Sequence, residues 1–441
     1  MATKKDLIEA QGFSRRRLLS AFTGGAPGGK ELDPAKPLRA VVAGVALTAM
    51  VILGGVFYGL VRPGLPQGWE DNRLVLVSDT GARYLTVGGE LHPVINTASA
   101  RLLVPAGDFS VISTDQATVA DITVGGTVGI VGAPDDLPAP DALISDGWTA
   151  CVTGRAQTTV GISAAPIATN APGSGTVVTV DDELFVVAGE YRYAIDDDDA
   201  NAVLRAVGLG ASAPIEVDGR WLNLFQPGED LSPLRVEGTG DAIDGTDLRV
   251  GTVVHPEGSD DDERYIALAS GELAKLTPLA YQLQLLGNSD GEVIDVSPAE
   301  IGDLPTATDP AGGRDWPTDV LAPVDAERVP CALSELADDA ATTTLATAPA
   351  ADVTGDSGGS IGVDVGAGSL VRTGPGAPAF LVDGSGTAYA VATTDSLERL
   401  GYAGADVAAV VPGWLDFLPT GPELSPEAAG ASPTVEAASA Q

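Results

Sequence analysis

Residues 354–360, "TGDSGGS", set a serine between glycines and beside an aspartate. In that setting the flanking backbone N–H groups can form an oxyanion hole around Ser357, which an acyl-transfer nucleophile requires. A histidine must then take the serine proton, and a buried carboxylate must orient that histidine. The chain holds two histidines, His92 in "LHPV" and His255 in "VHPE", each followed directly by proline. Asp260, Asp261 and Asp262 fall between His255 and Ser357, so the order His, Asp, Ser is available by counting. Neither histidine sits in an Ala-His-Cys setting, and the cysteine nearest the serine motif is Cys331. With 55 glycines in the chain, the motif reads as a Gly/Ser turn, and a hydrolase built on Ser357 stands as the alternative.

Three further stretches could bind a ligand. "GGAPGGKE", residues 24–31, has the Gly-x4-Gly-Lys skeleton of a phosphate loop. Glu31 replaces the hydroxyl residue that would hold Mg²⁺, Pro27 interrupts the loop and no strand precedes it, so it reads as a tether. The acidic runs 196–199 and 260–262 lack the alternating ligands and glycine of a calcium loop; the first is expected to cap a helix and the second to be solvated. Cys151 and Cys331 with two distant histidines make a poor zinc set; in an oxidising compartment a lone pair most simply forms one disulfide. No catalytic, cofactor-binding or metal-binding residue is assigned, and no cofactor is expected.

The elements that carry these residues divide by charge. Of 441 residues, 24 are Lys or Arg and 61 are Asp or Glu, a formal charge of −37 that argues against nucleic acid as a partner. Residues 1–39 are nonetheless basic, with eight Lys or Arg against four Asp or Glu, and beyond them Lys275 is the only lysine. Between the two regimes, residues 40–61 run without a charge from Arg39 to Arg62. As a helix they span about 33 Å, enough to cross a membrane. By the positive-inside rule the N-terminus is then cytoplasmic and the large remainder extracytoplasmic. A cleaved signal peptide would have a shorter apolar run ending at small residues, whereas this one runs into Phe57, Tyr58 and "RPGLPQGW". "SRRRLL", residues 14–19, imitates a twin-arginine signal but stands some twenty residues from the span. It fits a short amphipathic cytoplasmic helix whose apolar side is Leu7, Ile8, Leu18, Leu19 and Phe22.

Beyond the span the length allows two or three domains, and the sequence repeats a pattern. "LVLVSDTGARYLTV" (74–87) and "FLVDGSGTAYAVAT" (380–393) read as hairpins, with Gly386 and Tyr389 spaced as Gly81 and Tyr84; segments 184–195 and 265–277 are weaker copies. Short helices are expected after each, at 96–103, 198–210, 277–287 and 393–402. "TTVGISAA", "GTVVTVDD" and "LRVGTVVHP" suggest a central antiparallel β body from which four hairpin-plus-helix modules project. The expected fold class is α+β, mainly β. The domains are a cytoplasmic segment 1–39, a transmembrane helix 40–61, an extracytoplasmic repeat and β domain 62–424, and a disordered Pro/Ala/Ser/Glu-rich tail 425–441.

Several phrases occur in order: "SRRRLLSAFTGG", the apolar span, "GARYLTVGGELHPVINTASARLL", "GIVGAPDDLP", "WTAC" and "LGYAGADVAAVVPGWLDFLPTGPELSPEAA". Together they resemble EccB, a membrane component of the type VII (ESX) secretion systems of actinobacteria. The resemblance covers residues 14–427, and its most diagnostic parts are 91–102 and 132–134. It implies a cytoplasmic helix, one membrane pass, an elongated outer domain with repeats in pseudo-twofold arrangement, and a disulfide matching Cys151 to Cys331. It further implies self-association and assembly with EccC, EccD, EccE and a mycosin protease to export small helical proteins. The family's occasional ATPase label finds no motif in these residues. A peptidoglycan-binding anchor is the remaining alternative to a structural secretion subunit.

Overall fold

The computed structural model describes residues 3–24, 37–61, 65–154, 156–287, 293–302, 304–337, 340–353 and 360–433. The chain divides into two compact units, Met1–Gly64 and Leu65–Gln441. The first holds two helices, Lys4–Gly24 and Pro37–Val61. On the first helix, Leu7, Leu18, Phe22, Ile8 and Leu19 fall within one arc of about 120°, and all five are exposed. Lys4 and Arg15 fall in the same arc, so the apolar stripe is broken by charge rather than clean. In the second helix, Ala40–Tyr58 is long and apolar enough to cross a membrane, and none of it is buried within the protein.

Among the described residues the second unit contains five sheets, four of which share one four-strand order, the second of them carrying two further short strands, Gln226–Pro227 and Ala322–Pro323. In the first lobe a meander of Arg73–Val77, Ala82–Val87 and Glu90–Pro93 leads into helix Thr97–Leu103. The chain then returns as Ser110–Thr114, parallel to the opening strand. The second lobe repeats this with Ser174–Val180, Glu183–Ala188, Tyr191–Ile195, helix Ala200–Ala206 and the return Ile215–Glu216. In the third the strands are Val253–Pro256, Arg264–Ala267 and Leu273–Leu276, the helix is Pro278–Gly287 and the return is Val293–Val296. The fourth runs Ser369–Arg372, Ala379–Val382, Ala388–Val391, helix Thr394–Leu400 and Ala408–Ala409. A parallel return needs a crossover, and the helix supplies it.

This arrangement corrects the expected modules in two places. Each lobe is a three-stranded meander with a parallel return, not a hairpin followed by a helix. Gly81 turns the first strand into the second, whereas Gly386 turns the second into the third, so the two hairpins matched in the sequence are not equivalent. "GTVVTVDD" and "LRVGTVVHP" supply opening strands of the second and third lobes rather than the central body.

The central sheet has the order Ile361–Val363, Gln157–Ile162, Trp148–Thr153, Arg328–Ala337, Ala340–Pro349 and Thr169–Asn170. It is mixed rather than wholly antiparallel, because Ile361–Val363 pairs parallel to its neighbour. Three fully buried tryptophans pack its core. Trp148 meets Trp414 edge to face at 6.2 Å. Each of the other two indoles has its N–H satisfied: Trp221 donates to the Ala150 carbonyl at 2.8 Å and Trp414 to Thr343 Oγ1 at 3.0 Å. Cys151 and Cys331 stand opposite each other in adjacent strands and form a disulfide, as the resemblance implied.

The fold also runs past the expected boundary at Leu424. Ser425 accepts from the Ala428 N–H and caps helix Pro426–Gly430, whose Ala429 is fully buried. Only residues 434–441 of the anticipated tail lie outside the described residues.

Candidate functional site at the junction of the first and fourth lobes

Helix Thr97–Leu103 of the first lobe packs against helices Thr394–Leu400 and Pro426–Gly430 from the other end of the unit. Ala98, Leu102, Leu381, Tyr389, Leu400, Leu424 and Ala429 form one apolar cluster there. The two lobe helices begin alike: Asn96 accepts from the Ser99 N–H and Thr393 from the Ser396 N–H, each satisfying a donor at the helix start. Their ends are exchanged. Arg101 donates to the Leu400 carbonyl at 3.1 Å, and Arg399 donates to the Leu102 carbonyl at 3.2 Å. Each guanidinium therefore meets the negative end of the other lobe's helix dipole. Gly401 makes the approach possible, since its φ is 104° and a Cβ there would press on the Arg101 guanidinium.

The segment after the first lobe locks the same junction. Asn96 Nδ2 donates to the Ile130 carbonyl at 2.7 Å, and the Ile130 N–H donates to Ser99 Oγ at 2.8 Å. Asp135 binds the Arg83 guanidinium and accepts from the Thr97 N–H. Tyr402 donates to the Pro138 carbonyl at 2.9 Å, and burial pushes its phenol up, so it remains a neutral donor through the physiological range. Tyr389 is likewise pushed up to about 12, by burial and then by the Asp383 carboxylate that accepts from it. Apart from Arg101 Nε, which is buried without a partner, the polar groups named here bond to one another, which suits a rigid joint rather than chemistry.

The residues singled out for chemistry do not converge. Ser357 and its neighbours 354–359 lie outside the described residues, as does nearly all of the loop 24–31. His92 Nδ1 lies 3.1 Å from the Gly126 carbonyl in the first lobe. His255 lies in the third lobe with Asp295 Oδ1 2.9 Å from Nδ1, so its orienting carboxylate is not in the run 260–262. Nε2 lies 3.2 Å from the Asp260 carbonyl and 3.3 Å from Ser259 Oγ, while that hydroxyl donates to the Pro256 carbonyl at 2.9 Å. A carboxylate on one nitrogen and a carbonyl on the other both favour the protonated ring, and its pKa is raised, first by the Asp295 hydrogen bond. The Ser259 proton is directed at the Pro256 carbonyl rather than at the ring. Asp199 occupies the cap position of helix Ala200–Ala206 but makes no capping bond; Asp196 instead accepts from the Asp198 N–H. Among the described residues, no group of three or more His, Cys, Asp or Glu could hold a metal ion.

A family model described as "Type VII secretion system ESX-1, transport TM domain B" matches residues 1–435. The chain belongs to the EccB family. The ESX-3 secretion system ATPase EccB3 of Mycolicibacterium smegmatis is 28% identical over 270 residues, covering 57% of this chain and 51% of that protein. The ESX-2 secretion system ATPase EccB2 of Mycobacterium tuberculosis is 27% identical over 332 residues, covering 68% of this chain and 64% of that protein. The matched region thus spans between about half and two thirds of these curated relatives. Among solved structures, a chain of the intact ESX-5 inner membrane complex is similar over 100% of this chain and 97% of its own, with TM-score 0.71 and 21% identity. The structure of the EccB3 dimer from the ESX-3 core complex covers 81% and 99%, with TM-score 0.66 and 24% identity.

The EccB-like phrases 91–102 and 132–134 meet on the first-lobe side of the junction. The first carries Asn96 and Ser99, which hold Ile130 just ahead of the second, and Arg101, which reaches Leu400; the Ala98 N–H also donates to the Pro134 carbonyl. Sequence reasoning found the phrases but not that they meet. It also passed over Arg399 and Tyr402, whose only local signal is a basic residue in the last turn of a short helix and an aromatic just beyond its glycine cap.

Proposed function

We propose that this chain is a structural core subunit of a type VII secretion membrane complex. The match to the EccB family over residues 1–435 carries this reading. In it the helix around Ala40–Tyr58 crosses the membrane, residues 1–39 face the cytoplasm and the unit from Leu65 onward lies outside. The basic N-terminal segment supports that orientation, because positive charge is held on the cytoplasmic side. The four lobes are copies of one unit in pseudo-twofold arrangement, with the first paired to the fourth and the second to the third. Their common strand order supports this, as do the two helix pairs, in which Val203 and Val207 pack with Leu279 and Leu283 as Leu102 packs with Leu400. The outer unit works by self-association and by docking to EccC, EccD, EccE and a mycosin protease. It has no catalytic role, and the ATPase label carried by relatives is not adopted.

Mass spectrometry of material extracted from native membranes in mild detergent tests the proposal. The chain is expected to co-purify with other Ecc components and with a second copy of itself. Recovery alone, or with insoluble peptidoglycan independently of those components, would overturn it in favour of a wall anchor. Labelling of Ser357 by a fluorophosphonate would overturn the non-enzymatic part.

A further inference from the structure

A cavity of about 240 Å³ opens in the third lobe between the linker that leads into it and the end of helix Pro278–Gly287. Leu234, Val236 and Ile266 give it apolar walls, and Arg235 and Gln284 also line it. Gln284 is 1% exposed, yet neither Nε2 nor Oε1 has a hydrogen-bond partner. Asn96, Ser99 and Ser369, also buried, are each bonded. A buried carboxamide with both its donor and its acceptor unpaired opposes folding, and leucine would serve a helix better at this position. Arg235 is exposed and forms no ion pair among the described residues, although the chain around it is strongly acidic. The Thr239 hydroxyl donates to the Val236 carbonyl at 2.6 Å, so it has no proton left for Gln284 Oε1. Gly287 lets the linker lie this close, since a Cβ there would collide with the Leu234 carbonyl oxygen and press on Arg235 Cγ.

An orphan carboxamide offers one acceptor and one donor side, which is the complement of a peptide group. A nearby unpaired guanidinium is the complement of a carboxylate. We propose that this cavity is a binding site for a short peptide ending in a free carboxylate, whose last peptide group pairs with Gln284 and whose carboxylate meets Arg235. The Gln284 amide is closed off from solvent in the free protein, so binding requires the cavity wall around it to open. The site is independent of whether the chain assembles as a secretion subunit.

The test uses the full chain in lipid nanodiscs, with acetyl-Ala-Ala as probe and its C-terminal amide as control, followed by microscale thermophoresis. Acetyl-Ala-Ala is expected to bind saturably, with affinity falling about tenfold or more in Gln284→Leu and in Arg235→Gln. The amidated peptide is expected to bind more weakly and to be indifferent to Arg235→Gln. Absence of saturable binding, or equal affinity in the two variants and the parent, would overturn the proposal. So would a Gln284→Leu variant with raised Tm and no binding by the parent, which would mean that the cavity holds water only. Arg235 is exposed, so its variant remains informative if Gln284→Leu fails to fold.

Discussion

Reducing the Cys151–Cys331 disulfide should cost the unit Leu65–Gln441 several kcal/mol without altering its native packing. The two residues are 180 apart in sequence, and a cross-link closing a loop of that size removes loop entropy from the unfolded chain worth about 5 kcal/mol. In the folded unit the same strands are already paired at that position, and Arg328–Ala337 is also laddered to Ala340–Pro349 on its far side. The bond therefore acts on the unfolded ensemble, and the near-UV circular dichroism of the reduced protein should match that of the oxidised one. Urea unfolding followed by tryptophan fluorescence is the assay, since Trp148 lies in the same strand as Cys151. Reduction is expected to lower the unfolding free energy by about 2–5 kcal/mol and to steepen the denaturant slope, because the freed chain exposes more surface. The Cys151→Ala, Cys331→Ala double variant adds the loss of two buried sulfurs, about 1 kcal/mol each. A change below about 1 kcal/mol between oxidised and reduced protein would refute the entropic account, as would reactive thiols in material never exposed to reductant.

Arg101→Met and Arg399→Met should each destabilise by about 1–3 kcal/mol, as expected for losing a charge-assisted bond to a helix end. The double variant should fall short of their sum, because both arginines hold one helix pair; additivity within about 0.3 kcal/mol would show two independent contacts. Asp295→Asn should lower the His255 titration towards the ordinary value of about 6.5 in an NMR pH series, and an unchanged midpoint would contradict the pairing. Because the folded pKa is raised, the stabilisation from this pair is fully present below the unfolded pKa and is lost as pH rises through the folded one. Asn at 295 should therefore matter most in acid and least in base. An impermeant thiol reagent on intact cells should miss Ser20→Cys and label Ala211→Cys; the reverse pattern would invert the topology.

The fold was legible where local chemistry decides the structure. The Asp-x-Gly turn at Gly81 has the positive φ it advertises, and Asn96 and Thr393 cap their helices. It was not legible where the partner is remote. Ser174–Val180 and Val253–Pro256 are valine-rich strands that look the same whichever sheet receives them. The returns Ile215–Glu216 and Ala408–Ala409 are two residues long, too short for any alternation. Glu90–Pro93 escaped because His92 and Pro93 break the apolar pattern, which left the first hairpin matched to the wrong turn of the fourth lobe. At the junction, Arg101 and Leu400 are 299 residues apart, and nothing near either names the other. The His255–Asp295 pair spans 40 residues and is equally silent.

That separation bears on how the protein is made. During synthesis, which runs from the N-terminus, the helix at Thr97–Leu103 is delivered long before Thr394–Leu400 and Pro426–Gly430, the surfaces that cover Ala98 and Leu102. Until the last segments follow, the first lobe has a finished sheet and an uncovered apolar helix face, and Arg101 has no carbonyl to meet. Closing so long a loop is slow as well as late. The interval is one in which two nascent copies can exchange their final lobes, each completing the other's joint, and the same bonds that make the joint rigid would then make the exchanged pair durable.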